Sequence, residues 1–275
     1  MRKLNRNLVS KLHNNPSVEI GTGLCGTTRI IQFGEGNFLR AFADWMFDKL
    51  NAKTAFQGDT VIVQPIEQGR AKQLKAADCV YTVALRGKQD NKLIDSKRII
   101  TTVADAISCY DDFEALCKHA VSEDLRFVIS NTTEAGIIYS PEQYTPSIPQ
   151  RTFPAKITAF LKMRFDAIGH KPESGIIFLP VELIEANGSK LKSCILKYAK
   201  YWGFYGQFTD WIENQCVFCN TLVDRIVTGF PENEIDQFQQ ELGYEDNNLV
   251  TGEIFHLWLI QSSRDIRRDL PFEEA

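Results

Sequence analysis

The fold of this chain is decided by the stretch Arg29-Ile30-Ile31-Gln32-Phe33-Gly34-Glu35-Gly36-Asn37-Phe38-Leu39-Arg40-Ala41. It predicts a short apolar strand, a tight glycine turn and a helix whose apolar side chains recur at helical spacing as far as Leu50. Gly34 can adopt a backbone angle that a side chain would forbid. Gly36 lets the main chain approach a phosphate, whose charge the helix N-terminus favours. We therefore predict an anion site that holds the pyrophosphate of a dinucleotide.

This glycine turn is an incomplete fingerprint. A full G-x-G-x-x-G motif has a third glycine where Leu39 stands, and that glycine normally permits close packing of the helix on the sheet. Its absence predicts a slightly displaced helix. On the pattern alone, the alternative is an ordinary strand-to-helix turn that contains two glycines.

Composition limits the classes of protein to which the chain can belong. Its 275 residues suffice for one large domain or two modest ones, and a net charge of −4 without a basic cluster argues against a nucleic-acid partner. No run approaches the roughly 20 apolar residues of a membrane helix, and the first seven residues lack the apolar core of a signal peptide. Seven cysteines at scattered spacing suit reduced thiols. These features predict a soluble, cytoplasmic protein.

Strand and helix patterns alternate along the chain, which predicts an α/β fold. We expect a Rossmann-type, mostly parallel sheet with helices on both faces, and extra strands and helices in the second half. Residues 1–28 are polar and are predicted to precede a nucleotide-binding domain of residues 29–275. Further strands are predicted at 60–65, 81–86, 97–103, 125–131, 175–180 and 254–260, and helices at 111–121, 155–167, 189–201, 208–214 and 234–242. Residues 217–223 form a short apolar segment.

Ligands of such sheets bind beyond the carboxyl ends of the strands. This rule predicts that four segments lie around one crevice: Gly34–Arg40, Gln64–Pro65, Asn131–Glu134 and Pro180–Glu182. The sequence therefore predicts that these segments line the cofactor site.

Two motifs in this order carry a family resemblance. The segment Phe33–Ala41 resembles the G-x-G-x-F-x-R-A motif of the mannitol dehydrogenase family, the polyol-specific long-chain dehydrogenases/reductases. Cys219–Ile226 resembles that family's far more specific C-N-[ST]-x-V-D-R-I signature. Three further segments are most similar to the tagaturonate reductase (altronate oxidoreductase) branch: Ser130–Gly136, Leu179–Ile184 with Asn187-Gly188, and Val223–Gly229. The similarity runs from about Arg29 to the last residue.

The resemblance implies metal-independent hydride transfer between NAD(H) and a sugar acid, from D-tagaturonate to D-altronate. It also implies a second, mostly helical domain that carries a catalytic lysine in a K-x-x-x-x-N-x-x-H motif. None of the four histidines in this chain has the required lysine and asparagine before it. We therefore expect an N-terminal portion that lacks the helical catalytic domain and has little activity alone.

The candidate cofactor-binding residues follow from the turn, the strand ends and the resemblance. The glycine-turn set is Phe33, Gly34, Gly36, Asn37, Phe38 and Arg40. Arg40 is either a donor to a phosphate oxygen or a solvated helix residue. Gln64 stands at the end of the second strand, where an acid usually binds the NAD ribose. It can bond a hydroxyl but does not repel a 2′-phosphate, so the preference for NAD rests on the resemblance. Asn131, Thr132 and Thr133 are predicted to contact the nicotinamide ribose.

The candidate catalytic residues are Asn220 and Glu134. By resemblance, Asn220 donates to the developing alkoxide oxygen of the substrate, and a neutral amide does this without a change of protonation. Glu134 is interpreted as a proton-relay carboxylate or as a plain loop acid, and Glu182 as a substrate-side residue. We expect Asp224 and Arg225 to form a local structural ion pair. The pair Cys216 and Cys219 lacks a second pair of ligands, so buried thiols are expected rather than a metal site.

Two other functions remain open on the sequence. One is another substrate within the same family: mannitol, fructuronate or a sugar phosphate. The other is a nucleotide-binding module without redox activity, such as a methyltransferase-like protein that binds S-adenosylmethionine. The second alternative predicts an acid where Gln64 stands and no role for Asn220.

Overall fold

The computed structural model describes residues 1–12, 15–133 and 135–275. The predicted relay carboxylate, Glu134, lies outside the described residues. The described strands are β1 (Glu19–Ile20), β2 (Thr28–Phe33), β3 (Asp59–Gln64), β4 (Tyr81–Gln89), β5 (Lys92–Ile100), β6 (Val103–Ser108), β7 (Phe127–Ser130), β8 (Ile177–Pro180), β9 (Val217–Phe218), β10 (Asn220–Asp224), β11 (Val227–Gly229), β12 (Val250–Glu253) and β13 (Leu257–Gln261).

The helices connect these strands. We call the continuous run of Asn37–Leu39, the π-helical turn Arg40–Asp44 and Trp45–Lys53 helix α2. The others are α1 (Arg6–Val9), α3 (Ala71–Ala76), α4 (Phe113–Ala120), α5 (Phe153–Ile168), α6 (Asn187–Tyr201), α7 (Gln207–Gln215) and α8 (Ile235–Leu242), and a 3₁₀ turn spans Phe272–Glu274. Within the described part of the chain, no helix is both long and apolar enough to cross a membrane.

The principal sheet has six strands in the order β6-β3-β2-β7-β8-β9, and all its neighbours pair in parallel. Counted along the chain, this is the order 3-2-1-4-5-6 of the doubly wound dinucleotide-binding fold. The strand order reverses between β2 and β7, so the glycine turn after β2 lies at the point where such sheets bind ligands. The predicted fold class is confirmed.

Helices cover both faces of this sheet because successive strand residues point to opposite sides. Ile30 packs on the side of α2, with Phe42 and Phe47. Ile31 packs on the other side, with Phe160 of α5. Burial on both faces explains why the central strands are continuous apolar runs rather than alternating ones.

A second sheet packs beside the first and contains five strands in the order β1-β5-β4-β12-β11. Parts of the segment before β2 belong to it: β1 pairs in parallel with β5, and Leu4, Leu8 and Val18 are buried in its core. The segment that we expected to precede the domain thus contributes side chains to the fold. A separate antiparallel ribbon is formed by β10 and β13.

Three boundary predictions were wrong. The strand predicted at 97–103 ends at Ile100, and Val103 begins β6 of the other sheet. The N-cap of α4 is Asp112 rather than Asp111, because Asp112 Oδ1 accepts a hydrogen bond from the Ala115 amide at 3.1 Å. The strand predicted at 254–260 begins only at Leu257.

A buried carboxyl makes the stability of this fold depend on pH. Asp44 in α2 accepts hydrogen bonds from the Tyr81 hydroxyl at 2.6 Å and the Gln32 amide at 3.2 Å. Burial raises the pKa of Asp44 from 3.8 to about 6. The native state therefore binds more protons than the unfolded state between these two values, and the free energy of unfolding falls as the pH rises through that window.

We expect Asp44→Asn to remove this pH dependence of the free energy of unfolding, because an amide does not titrate. The amide oxygen can still accept the hydrogen bond from Tyr81, so the packing is retained. Urea unfolding at several pH values should show a flatter profile than the unsubstituted chain between about pH 4 and 6. The exposed Asp90, which takes part in none of the ion pairs of the described residues, offers a control, and Asp90→Asn should leave that part of the profile unchanged. An identical profile for Asp44→Asn would contradict the assignment.

Candidate functional site

The glycine turn after β2 has the backbone that the sequence predicts. Gly34 has φ of +125°, and its amide donates to the Val63 carbonyl at 2.9 Å. A Cβ on Gly34 would lie 3.0 Å from Leu39 Cδ1, so the leucine that replaces the third glycine packs directly on the turn. Gly36 is the exposed N-cap of α2, and a Cβ there would meet no atom within 4 Å. Backbone conformation requires the first glycine, whereas open space lies in front of the second.

A cavity of about 420 Å³ lies beside this turn. It brings together Gly34 and Gly36, the loop after β3 at Pro65 and Ile66, and the loop after β7. From the last loop, the cavity is lined by the predicted residues Asn131, Thr132 and Thr133. Neither Asn220 nor Glu182 lines it. A larger groove of about 690 Å³ lies at the opposite end of the sheet, beside Arg29 and Arg126, where this fold class does not bind its ligands.

The other members of the predicted turn set lie around it as packing groups. Phe33 is buried against Phe153, with ring centroids 5.4 Å apart. Phe38 stacks on Phe42 with centroids 4.9 Å apart. Asn37 Oδ1 accepts a hydrogen bond from Arg40 at 2.7 Å. These contacts fix the start of α2.

Arg40 is fully buried and hydrogen-bonds residues of the turn. Its Nε donates to the Glu35 carbonyl at 3.2 Å, and its Nη1 donates to the Asn248 carbonyl. Its guanidinium also lies over the Tyr81 ring, 5.1 Å from the centroid. The structure thus places the guanidinium against protein acceptors and away from the lining of the cavity.

Gln64 organises the loop that follows β3. Its Nε2 donates to the Ile66 and Glu67 carbonyls at 2.9 and 3.1 Å, and its Oε1 accepts from the Ala71 amide at 3.1 Å. Its side-chain amide is therefore engaged within the loop. The predicted ribose contact requires these bonds to be exchanged.

Glu182 braces the loop that contains Thr132. The buried carboxylate accepts hydrogen bonds from the Ser130 hydroxyl at 3.1 Å and from the Thr132 amide and hydroxyl, each at 2.9 Å. Burial raises the pKa of Glu182. Thr133, the next residue, has φ of +74°, so the loop is held in an uncommon conformation where it lines the cavity.

Asn220 is half-buried at the start of β10, outside the cavity lining. Its Oδ1 accepts from the Ser189 amide in α6 at 2.9 Å, and its Nδ2 donates to Gln261 at 3.3 Å. The expected pair of Asp224 and Arg225 is not among the ion pairs of the described residues. Arg225 instead donates to the Ala41 carbonyl at 2.6 Å and lies over the Trp45 ring.

The Cys216–Cys219 pair is buried, and both thiols are free. Burial raises the pKa of Cys216 to about 12, which disfavours the thiolate that would bind a metal. No cluster of three or more potential metal ligands occurs among the residues that the structure describes.

Three charged residues of the cavity lining were not assigned from the sequence: Glu35, Arg151 and Lys156. Lys156 of α5 is buried, and its ammonium donates to the Arg151 carbonyl at 2.7 Å and to the Tyr110 hydroxyl at 3.3 Å. Burial lowers the pKa of Lys156. Glu35, between the two glycines, also lines the cavity. The available signal was a lysine within the apolar run that begins at Phe153, and an acid inside an anion-binding turn.

Comparison with known proteins agrees with this geometry. The Rossmann-domain profile of the mannitol dehydrogenases matches residues 28–273. This chain belongs to the mannitol dehydrogenase family. An altronate oxidoreductase of Bacillus subtilis is 42% identical over 275 residues, covering 100% of this chain and 55% of the relative. One from Halalkalibacterium halodurans is 42% identical over 248 residues, covering 90% and 48%. The chain thus spans about half the length of these curated relatives.

Two solved structures share the fold. A D-sorbitol dehydrogenase in substrate-free form superimposes with a TM-score of 0.78 at 22% identity, covering 99% of this chain and 57% of that one. The Pseudomonas fluorescens mannitol 2-dehydrogenase, in a ternary complex with NAD and D-mannitol, gives a TM-score of 0.77 at 24% identity, covering 94% and 54%. Both comparisons support the Rossmann-type fold of this chain.

Proposed function

We propose that this chain is the cofactor-binding part of an NAD(H)-dependent oxidoreductase that interconverts D-tagaturonate and D-altronate. The observation that supports a dinucleotide cofactor is the glycine turn, which borders a cavity at the point where the strand order of a 3-2-1-4-5-6 parallel sheet reverses. The substrate pair is supported by the altronate oxidoreductases at 42% identity. The nicotinamide, when bound, supplies or accepts the hydride.

The residues of the cavity fit a dinucleotide. The N-terminus of α2 faces the open space before Gly36, so its amides are available to a pyrophosphate without obstruction by a side chain. Asn131, Thr132 and Thr133 offer amide and hydroxyl groups to the nicotinamide ribose, and Glu182 holds their loop in place. These residues bind and orient the cofactor.

The substrate side would be completed by a second domain. Asn220 polarises the keto oxygen with its amide, and a lysine outside this chain supplies the proton. The β10–β13 ribbon supports this division, because Leu222 and Leu259 pair across it and are both more than half exposed, at 55% and 54%. An apolar strip of this kind suits contact with another domain.

The test is a fluorescence titration of the purified chain with NADH, with S-adenosylmethionine as competitor. We expect saturable NADH binding that S-adenosylmethionine does not displace, and negligible reduction of tagaturonate. Absence of NADH binding, or its displacement by S-adenosylmethionine, would contradict the cofactor assignment. Substrate profiles of an enzyme that contains both domains would separate tagaturonate from mannitol, fructuronate and sugar phosphates.

Lys156 lines the cavity, and its ammonium makes two of its three possible hydrogen bonds to Arg151 and Tyr110, so we propose that it donates the third to the dinucleotide. Lys156→Met is then expected to weaken NADH binding about tenfold, because a charge-assisted hydrogen bond of a buried ammonium contributes roughly 1.5 kcal/mol or more. The same titration measures the effect. Lys162→Met is the matched control, since Lys162 lies on the same helix but pairs with Asp166 outside the cavity. Equal affinities of the two variants would show that the ammonium of Lys156 does not contact the dinucleotide.

A further inference from the structure

The carboxylate that NAD-binding folds usually place at the end of the second strand is absent from its usual position. The corresponding strand is β3, and it ends at Gln64. The amide of Gln64 already makes three hydrogen bonds within the following loop. The two hydroxyls of the adenosine ribose therefore need a different acceptor.

Glu35 brings a carboxylate to that place from the glycine turn. Its Oε1 accepts a hydrogen bond from the Arg70 amide at 3.4 Å, in the loop after β3. A Cβ on Gly69 would lie 2.1 Å from Glu35 Oε1 and 2.6 Å from Gln64 Cδ. The carboxylate of Glu35 and the amide of Gln64 thus lie side by side over Gly69, at the carboxyl end of β3.

The position of Glu35 also fits the path of the ligand. Glu35 lines the cavity together with Gly36 on one side and with Pro65 and Ile66 on the other. A dinucleotide whose pyrophosphate lies at the turn carries its adenosine ribose towards the end of the second strand. Glu35 is only 9% exposed, and it lines the cavity.

We propose that Glu35 is the residue that binds the adenosine ribose of the cofactor and excludes NADP(H). A carboxylate accepts hydrogen bonds from the 2′- and 3′-hydroxyls. The same charge repels a 2′-phosphate, which carries up to two negative charges. This inference rests on the proposed function, since it assigns the selectivity of the same cofactor site. It also explains Gly69, because any larger side chain there would displace the carboxylate.

The nearest rival for this role is Glu67, an exposed acid in the loop after β3. Glu67 lies three residues after the end of β3 in sequence, whereas Glu35 reaches the strand end only through the fold. The two residues therefore form a matched pair for substitution.

The experiment measures dissociation constants for NADH and NADPH by fluorescence titration of the full chain, unsubstituted and as Glu35→Gln and Glu67→Gln. We expect the unsubstituted chain to prefer NADH. Glu35→Gln should shift the ratio of the two constants at least about tenfold towards NADPH, and Glu67→Gln should shift it less than about twofold. Glu35→Asp, which keeps the charge on a shorter side chain, should weaken NADH binding without admitting NADPH. Thermal unfolding of each variant verifies folding.

The outcomes separate the two proposals. An unchanged ratio in folded Glu35→Gln, or a shift confined to Glu67→Gln, would overturn the role of Glu35 and leave the proposed function intact. If Glu35→Gln does not fold, admission of NADPH by folded Glu35→Asp would overturn the role, and exclusion of NADPH would support it. Binding of neither nucleotide by the unsubstituted chain would overturn the proposed function, and the role of Glu35 with it.

Discussion

Gly34→Ala is expected to lower the affinity for NADH by up to about 100-fold and to lower the free energy of unfolding. A non-glycine residue at a φ of +125° is strained, at a cost of roughly 1–3 kcal/mol. The added Cβ would also lie 3.0 Å from Leu39 Cδ1 and 3.4 Å from the Asn131 carbonyl oxygen. The Leu39 side chain or the loop after β7 must therefore shift slightly, and Asn131 of that loop lines the cavity. Urea unfolding and NADH titration measure the two effects.

Gly36→Ala is the control for this experiment. Gly36 has φ of −66°, and a Cβ there meets no protein atom within 4 Å, so the free energy of unfolding should change by less than about 1 kcal/mol. NADH affinity should still fall, because the methyl group occupies the space through which a phosphate approaches the amides of α2. If Gly36→Ala binds NADH as tightly as the unsubstituted chain, the pyrophosphate does not lie at this turn.

The sequence was sufficient for the turn and for the edge of the sheet where it lies. Strand, glycine pair and helix are encoded within thirteen consecutive residues, Arg29–Ala41. The parallel arrangement of buried strands then brings the loop after β7 to the same edge, which is why Asn131, Thr132 and Thr133 share the cavity with Gly34. Local patterns determine these features because they depend on backbone conformation and on strand direction.

The orientations of long polar side chains could not be predicted in this way. Gln64 and Glu182 were assigned to the ligand, yet each hydrogen-bonds a neighbouring loop whose path depends on the assembled sheet. Glu35 reaches the end of β3 only because Gly69, 34 residues later in the chain, leaves room for it. Likewise, β5 and β6 belong to different sheets although their residues follow each other closely, since Asp48 of α2 holds Thr101 between them. Contacts between residues that are distant in the chain leave no pattern in the local sequence from which they could be predicted.

The sequence predicts that Arg40 either donates to a phosphate or is a solvated helix residue, and its burial argues against the second interpretation. The phosphate contact and the structural role seen in the fold predict different results for substitution of Arg40. The structure assigns its donors to the Glu35 and Asn248 carbonyls and to Asn37 Oδ1. Arg40→Met would leave these buried acceptors without a partner, at roughly 1–3 kcal/mol for each buried group. We expect the free energy of unfolding to fall by about 3–4 kcal/mol, as measured by urea unfolding. A residue that only contacts phosphate would leave stability nearly unchanged and would reduce NADH affinity alone.

Arg40→Lys separates geometry from charge at the same position. Lysine retains the positive charge but cannot reproduce the planar fork of donors that reaches Glu35, Asn37 and Asn248 together. If Arg40 stabilises the turn through these hydrogen bonds, Arg40→Lys should lower the free energy of unfolding nearly as much as Arg40→Met does. The folded fraction of Arg40→Lys should also bind NADH weakly. If the arginine serves as a charge for the pyrophosphate, Arg40→Lys should retain both stability and most of the affinity. That result would show that the hydrogen bonds of Arg40 to Glu35, Asn37 and Asn248 do not stabilise the glycine turn.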